Sequence, residues 1–193
     1  MKRPRLSRKL PLQNINEKGA TFLHPSNDLD VILGNATATL ELLGGLPHLE
    51  HRTNSCRWWW LNSTSAKHFQ FIILAHPTCT TIGAIIEQAF RSLQSGKIET
   101  NTTSTTIADG LRTNLGDVNF PIIQELVNSI ICVEEAEIIA AMKLIWERMK
   151  LIPSEPSSAV ALAAVLKEKE LFRNQHIGII ISGGNVDVKN LPF

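Results

Sequence analysis

The residues best equipped to touch a small molecule lie near the end of the chain. The apolar run Ile177–Ile181 has the length of a buried strand, and Ser182-Gly183-Gly184-Asn185 follows it directly. In open α/β sheets, ligands sit beyond the carboxyl ends of the strands. Two adjacent glycines let the backbone approach a ligand closely, while Ser182 and Asn185 offer a hydroxyl and an amide. A plain glycine turn after an edge strand would use the same four residues, so the motif alone does not choose between the two uses. Cys56, Cys79 and Cys132 are an odd number without CxxC or Cys/His spacing, which points to neither a zinc site nor a disulfide framework.

Those residues need elements to hold them. Gly19–Leu23 reads as a short strand, His24-Pro25-Ser26 as a turn, and a helix follows carrying Val31, Ile32, Leu40, Leu42 and Leu43 until Gly44-Gly45 ends it. From about residue 46 to 68 the pattern matches neither period, and Trp58, Trp59 and Trp60 stand side by side. Strand candidates return at Phe69–Ala75 and Thr80–Ala84, then a helix over about 87–96 and a Thr/Ser/Asn-rich loop over 100–106. Pro121 opens a helix with Ile122, Ile123, Leu126 and Val127, and the strand Ile130–Val133 follows. Glu134-Glu135 starts a helix whose buried stripe is Ile138, Met142, Ile145 and Met149, ended by Pro153 and Pro156. A helix over Ser157–Phe172 leads into the strand before Ser182. Helices alternating with short continuous apolar strands predict an α/β fold, a mostly parallel sheet flanked by helices.

At 193 residues, 44% hydrophobic and 19% charged, the chain suits one compact domain and is neither disordered as a whole nor a disulfide miniprotein. Lys2, Arg3, Arg5, Arg8 and Lys9 hold five of the 19 basic residues against 18 acidic ones, so residues 10–193 are net negative and no nucleic-acid partner is expected. Residues 1–18 read as a basic, disordered tail without the apolar run of an export signal. The longest apolar runs are far shorter than the roughly 20 residues of a membrane span. A cytoplasmic protein with no membrane partner is the expectation, and the Asn-X-Thr sites at Asn35, Asn62 and Asn101 are discounted with it.

Five segments occur in order at familiar separations: Thr106–Arg112 (TIADGLR), Phe120–Ile123 (FPII), Trp146–Lys150 (WERMK), Glu155-Pro156 and Ile181–Asp187 (ISGGNVD). Together they resemble the C-terminal part of the serine racemase and threonine/serine dehydratase family, pyridoxal-phosphate (PLP) enzymes of the tryptophan-synthase-β fold. Ala20–Pro25 (ATFLHP) and Asp30–Gly34 (DVILG) extend the resemblance. The resemblance implies an incomplete large domain of that fold over residues 19–193, with residues 44–85 disrupted. It implies PLP as cofactor and a hydroxy amino acid, L-serine or L-threonine, as substrate. Ser182 would hydrogen-bond the pyridine nitrogen, Gly183, Gly184 and Asn185 would form the turn around it, Glu155 would lie near the ring face, and Gly110 would lie beside the substrate. A neutral hydroxyl does not hold the ring nitrogen protonated, which moderates the electron sink.

The chain also departs from that family. The Schiff-base lysine motif and the Ser-x-Gly-Asn-like carboxylate loop are not found; Lys67 has a serine two residues ahead but the wrong residues after it. The chain is therefore expected to start after the catalytic lysine, with no catalytic residue of its own. Where the family has a glycine-rich phosphate cradle, this chain has Cys56–Leu61 (CRWWWL), and indoles do not cradle phosphate as glycine amides do. A repeated GGT glycine run read two bases out of phase becomes TGG, tryptophan, so a shifted reading frame over part of 44–85 is one account. Glu87 is the sole carboxylate near the family's magnesium or calcium position, and one carboxylate does not hold such an ion firmly. Three readings stay open: a PLP lyase or racemase domain unable to turn over alone, a non-catalytic subunit in a homodimer or bound to a full-length relative, and a fragment or erroneous gene model.

Overall fold

A computed structural model describes residues 17, 19, 21, 23, 24, 27–35, 37, 41, 45, 70–75, 81–85, 88–100, 106–112, 114–127, 129–149, 155–174, 176–184 and 186–193. The basic tail at 1–16, the three tryptophans at 58–60, and Lys67, Glu87 and Asn185 lie outside the described residues.

The elements are α1 (Leu29–Asn35), β1 (Gln70–Ala75), β2 (Thr81–Ile85), α2 (Gln88–Ser95), a 3-10 turn (Asp109–Leu111), α3 (Asn119–Leu126), β3 (Ser129–Cys132), α4 (Glu135–Met149), α5 (Pro156–Lys167) and β4 (His176–Ile179). The sheet order is β3-β2-β1-β4. β2 and β3 pair in parallel, while β1 is antiparallel to both β2 and β4. Hence β2, β3 and β4 run in one direction and β1 alone opposes them. The expected helix-flanked α/β sheet is present; the parallel expectation needs correcting at β1. Only residues 76–80 connect β1 to β2, and a parallel crossover needs a dozen or more residues.

The helices are defined by their ends. Asp28 caps α1, its Oδ1 accepting from Asp30 N–H at 3.0 Å and Val31 N–H at 3.3 Å. Gly96, at φ +68°, closes α2 in the left-handed conformation that favours glycine. Glu134 N–H donates to Glu137 Oε2 at 2.7 Å, half of a capping box that starts α4. Along α4, Ile138, Met142 and Ile145 are buried as the i, i+4, i+7 spacing demands. Met149, expected on the same stripe, is 50% exposed because it sits in the last turn, at the rim of the packed face. Pro156 occupies the first position of α5, where its missing N–H costs nothing. Burial on α5 extends from Ser157 and Ser158 through Ala159, Val160 and Ala161 to Ala163 and Ala164, so most of its circumference is enclosed. Its alanines allow α4 to pack closely, and the core joins both helices to Phe120, Ile123, Ile130 and Phe172. At the far end, Lys167 Nζ donates to Cys132 O at 3.0 Å and to Glu137 Oε2 at 3.1 Å, fastening α5 to the end of β3 and the start of α4.

Two features have measurable consequences. Ser158 Oγ is fully buried and has no hydrogen-bond partner among the described residues. Ser158→Ala removes that unsatisfied hydroxyl and raises helix propensity, and is expected to stabilise the fold by about 1 kcal/mol, read as a higher urea midpoint with unchanged slope. The second feature is a long-range tie: Asn27 Nδ2 donates to Asp117 Oδ1 at 2.6 Å, and Val118 N–H donates to Asn27 Oδ1 at 2.9 Å. The Asn27 hydrogen bond, with help from backbone N–H groups, holds the Asp117 carboxyl below its ordinary value of 3.8. A carboxylate whose pKa is depressed by folding stabilises above its unfolded pKa, and that contribution fades as the pH falls through the folded value. The loss of urea resistance between neutral pH and about pH 3 should therefore be smaller in Asn27→Ala than in the wild type.

Candidate cofactor site

β4 leads through Ile181 into the exposed turn Ser182-Gly183-Gly184, beyond the carboxyl end of its strand. Gly183 adopts φ +81°, a conformation that side-chain-bearing residues rarely take. Val186 N–H donates to Gly184 O at 2.9 Å, which bends the chain immediately after the turn. Further on, Asp187 accepts from Lys189 N–H at 3.0 Å and Asn190 Nδ2 at 2.7 Å. The Asn190 bond comes first in keeping that exposed carboxyl below its usual range.

The turn rests on the first turn of α5. Glu155, the residue before α5, is extended (φ −69°, ψ 157°) as a residue preceding proline must be. Its N–H donates to Gly183 O at 3.2 Å. The Glu155 side chain lies against the α-carbon of Gly183: a Cβ there would stand 2.5 Å from Glu155 Cδ and 2.6 Å from Oε1. A carboxylate beside the start of a helix also suits the helix dipole.

The segment Thr106–Arg112 reaches the same place from another direction. Thr106 Oγ1 accepts from Ala108 N–H at 3.1 Å, Glu135 Oε2 accepts from Ile107 N–H at 3.0 Å, and the Arg112 guanidinium donates to Thr106 O. At its centre Gly110 N–H donates to Ser157 Oγ at 3.0 Å. Gly110, Glu155 and Gly183, singled out from separate parts of the sequence, thus meet around one helical turn, and Ser182 and Gly184 flank Gly183 on the exposed side.

Two participants escaped sequence reasoning. Ser157 reads as the first residue of a helix and Glu135 as an acidic first-turn residue; the structure shows both reaching across to the Thr106–Arg112 loop. The clue for Ser157 was its place directly after Glu155-Pro156, a segment singled out by the family resemblance. Among the described residues, no group of three or more His, Cys, Asp or Glu side chains is placed to hold a metal ion.

An exposed hydroxyl at the end of a strand, a glycine backbone that keeps the approach open, and a carboxylate alongside form a donor set that fits the ring end of PLP. Residues 5–183 match the family described as pyridoxal-phosphate dependent enzyme. The chain belongs to that family. It is 41% identical over 193 residues to serine racemase of Dictyostelium discoideum, covering 93% of this chain and 56% of that protein. It is 36% identical over 180 residues to β-hydroxyaspartate dehydratase of Paracoccus denitrificans, covering 92% of this chain and 56% of the relative. Among solved structures, maize serine racemase superposes with a TM-score of 0.78 at 31% identity, over 97% of this chain and 58% of that one. The fold is thus part of the tryptophan-synthase-β-like PLP fold, and the family's cofactor is PLP. The chain spans about half the length of the curated relatives it matches. No helix among the described residues is long and apolar enough to cross a membrane.

Proposed function

We propose that this chain is a PLP-binding large domain of the serine racemase and hydroxy-amino-acid dehydratase type that does not turn over substrate unaided. The observation that carries the reading is the meeting of Gly110, Glu155 and Gly183 around the first turn of α5, with the Ser182 hydroxyl exposed next to them. Bound PLP supplies an electron sink for a substrate that loses its α-proton. Ser182 would hydrogen-bond the pyridine nitrogen, and a neutral hydroxyl would not hold it protonated, which would keep that sink moderate. Glu155 would flank the ring, and Gly110, having no side chain, would leave room for the amino acid. L-Serine or L-threonine is the substrate class, in line with the names of the relatives. The chain works in the cytoplasm, as a homodimer or paired with a full-length relative that brings the lysine and phosphate cradle for which Lys67 and Cys56–Leu61 are poor substitutes.

Titration with PLP, followed by absorbance and tryptophan fluorescence, tests the reading. Saturable binding that borohydride does not convert into a lysine adduct, with no ammonia or D-serine formed from L-serine, is the expected result. An absence of saturable binding overturns the cofactor reading. A borohydride-fixed adduct with turnover overturns the claim that the chain is incomplete.

A further inference from the structure

The first turn of α5 touches two loops at once. Ser157 Oγ accepts from Gly110 N–H at 3.0 Å, and two residues earlier Glu155 N–H donates to Gly183 O at 3.2 Å. Pro156 stands between these two anchors, and its ring fixes φ there, which stiffens the link between them. Ser157 is only 5% exposed, which keeps water from competing for its oxygen. Within the Thr106–Arg112 loop the Arg112 guanidinium donates to Thr106 O, and Ile107 N–H is held by Glu135 at the start of α4.

We propose that Ser157 is a positioning residue for the substrate: its hydroxyl holds Gly110 at a set distance from the Ser182–Gly184 turn and so fixes the room available to an amino acid carried by the cofactor. The inference rests on the reading of Gly110 as the residue beside the substrate. α5 acts as a ruler between a cofactor-side turn and a substrate-side loop, and the Ser157 hydroxyl is its mark on the substrate side. Without the Ser157 hydroxyl, this tie between the 3-10 turn at Asp109–Leu111 and the first turn of α5 is lost.

Two ligands separate positioning from general stability: PLP alone, and phosphopyridoxyl-L-serine, the stable reduced conjugate of PLP with serine. Ser157→Ala is expected to weaken the conjugate about five- to tenfold while changing the affinity for PLP less than about twofold. Ser157→Thr, which keeps the hydroxyl, is expected to restore the wild-type ratio of the two affinities. Equal weakening of both ligands in Ser157→Ala, no weakening of either, or a ratio that stays shifted in Ser157→Thr overturns the inference while leaving the cofactor reading in place. Wild-type protein that takes up neither ligand overturns the cofactor reading and this inference with it.

Discussion

Gly183→Ala is expected to lose most of the affinity for PLP, by about tenfold or more, and to cost about 1–3 kcal/mol of stability. Two effects combine at this position. The backbone sits at φ +81°, where an L side chain is strained. The added Cβ would also stand 2.5 Å from Glu155 Cδ and 3.0 Å from its Cγ, far inside van der Waals contact. The Glu155 side chain can swing away, so the clash is relieved by displacing the carboxylate rather than by unfolding the domain. The damage should therefore appear mainly in the PLP titration, with a smaller fall in the urea midpoint. An alanine variant that binds PLP as the wild type does would mean that neither the turn nor Glu155 contacts the cofactor.

Ile138→Ala should have the largest effect on stability, about 2–5 kcal/mol. Ile138 is fully buried on α4, in the same core as Val160 and the alanines of α5. The deletion leaves a cavity that helices packed this closely can only partly collapse into. Urea unfolding at neutral pH reads the cost directly, and the slope should stay unchanged if the variant still unfolds in one step. Because α5 is held by this core, PLP affinity at moderate urea concentrations should fall earlier in the variant than in the wild type.

Local patterns were the legible part of this sequence. The spacing of Ile138, Met142 and Ile145 identified the buried face of α4, and an apolar run ending in Ser182-Gly183 marked a strand with an exposed turn beyond it. Gly110 and Glu155 came from the family resemblance rather than from any pattern of their own; Glu155 packs against Gly183, and Gly110 is bonded to Ser157 in the same first turn of α5. What remained hidden depends on partners far away along the chain. Ser157 meets a backbone amide 47 residues earlier, and Asn27 meets Asp117 across 90 residues. No periodicity encodes such pairs, because each is decided by how whole elements dock. The direction of β1 was hidden for a different reason: an apolar run signals a strand but carries no sign of its orientation, which the short connection to β2 decides.

The enclosure of α5 sets how the molecule exchanges its peptide hydrogens with heavy water. A helix covered around most of its circumference offers few small fluctuations that admit solvent, so its central amides, from Val160 to Ala164, should exchange through opening of the whole domain. Deuterium uptake there becomes a gauge of global stability, while the glycine turn on its doorstep exchanges freely.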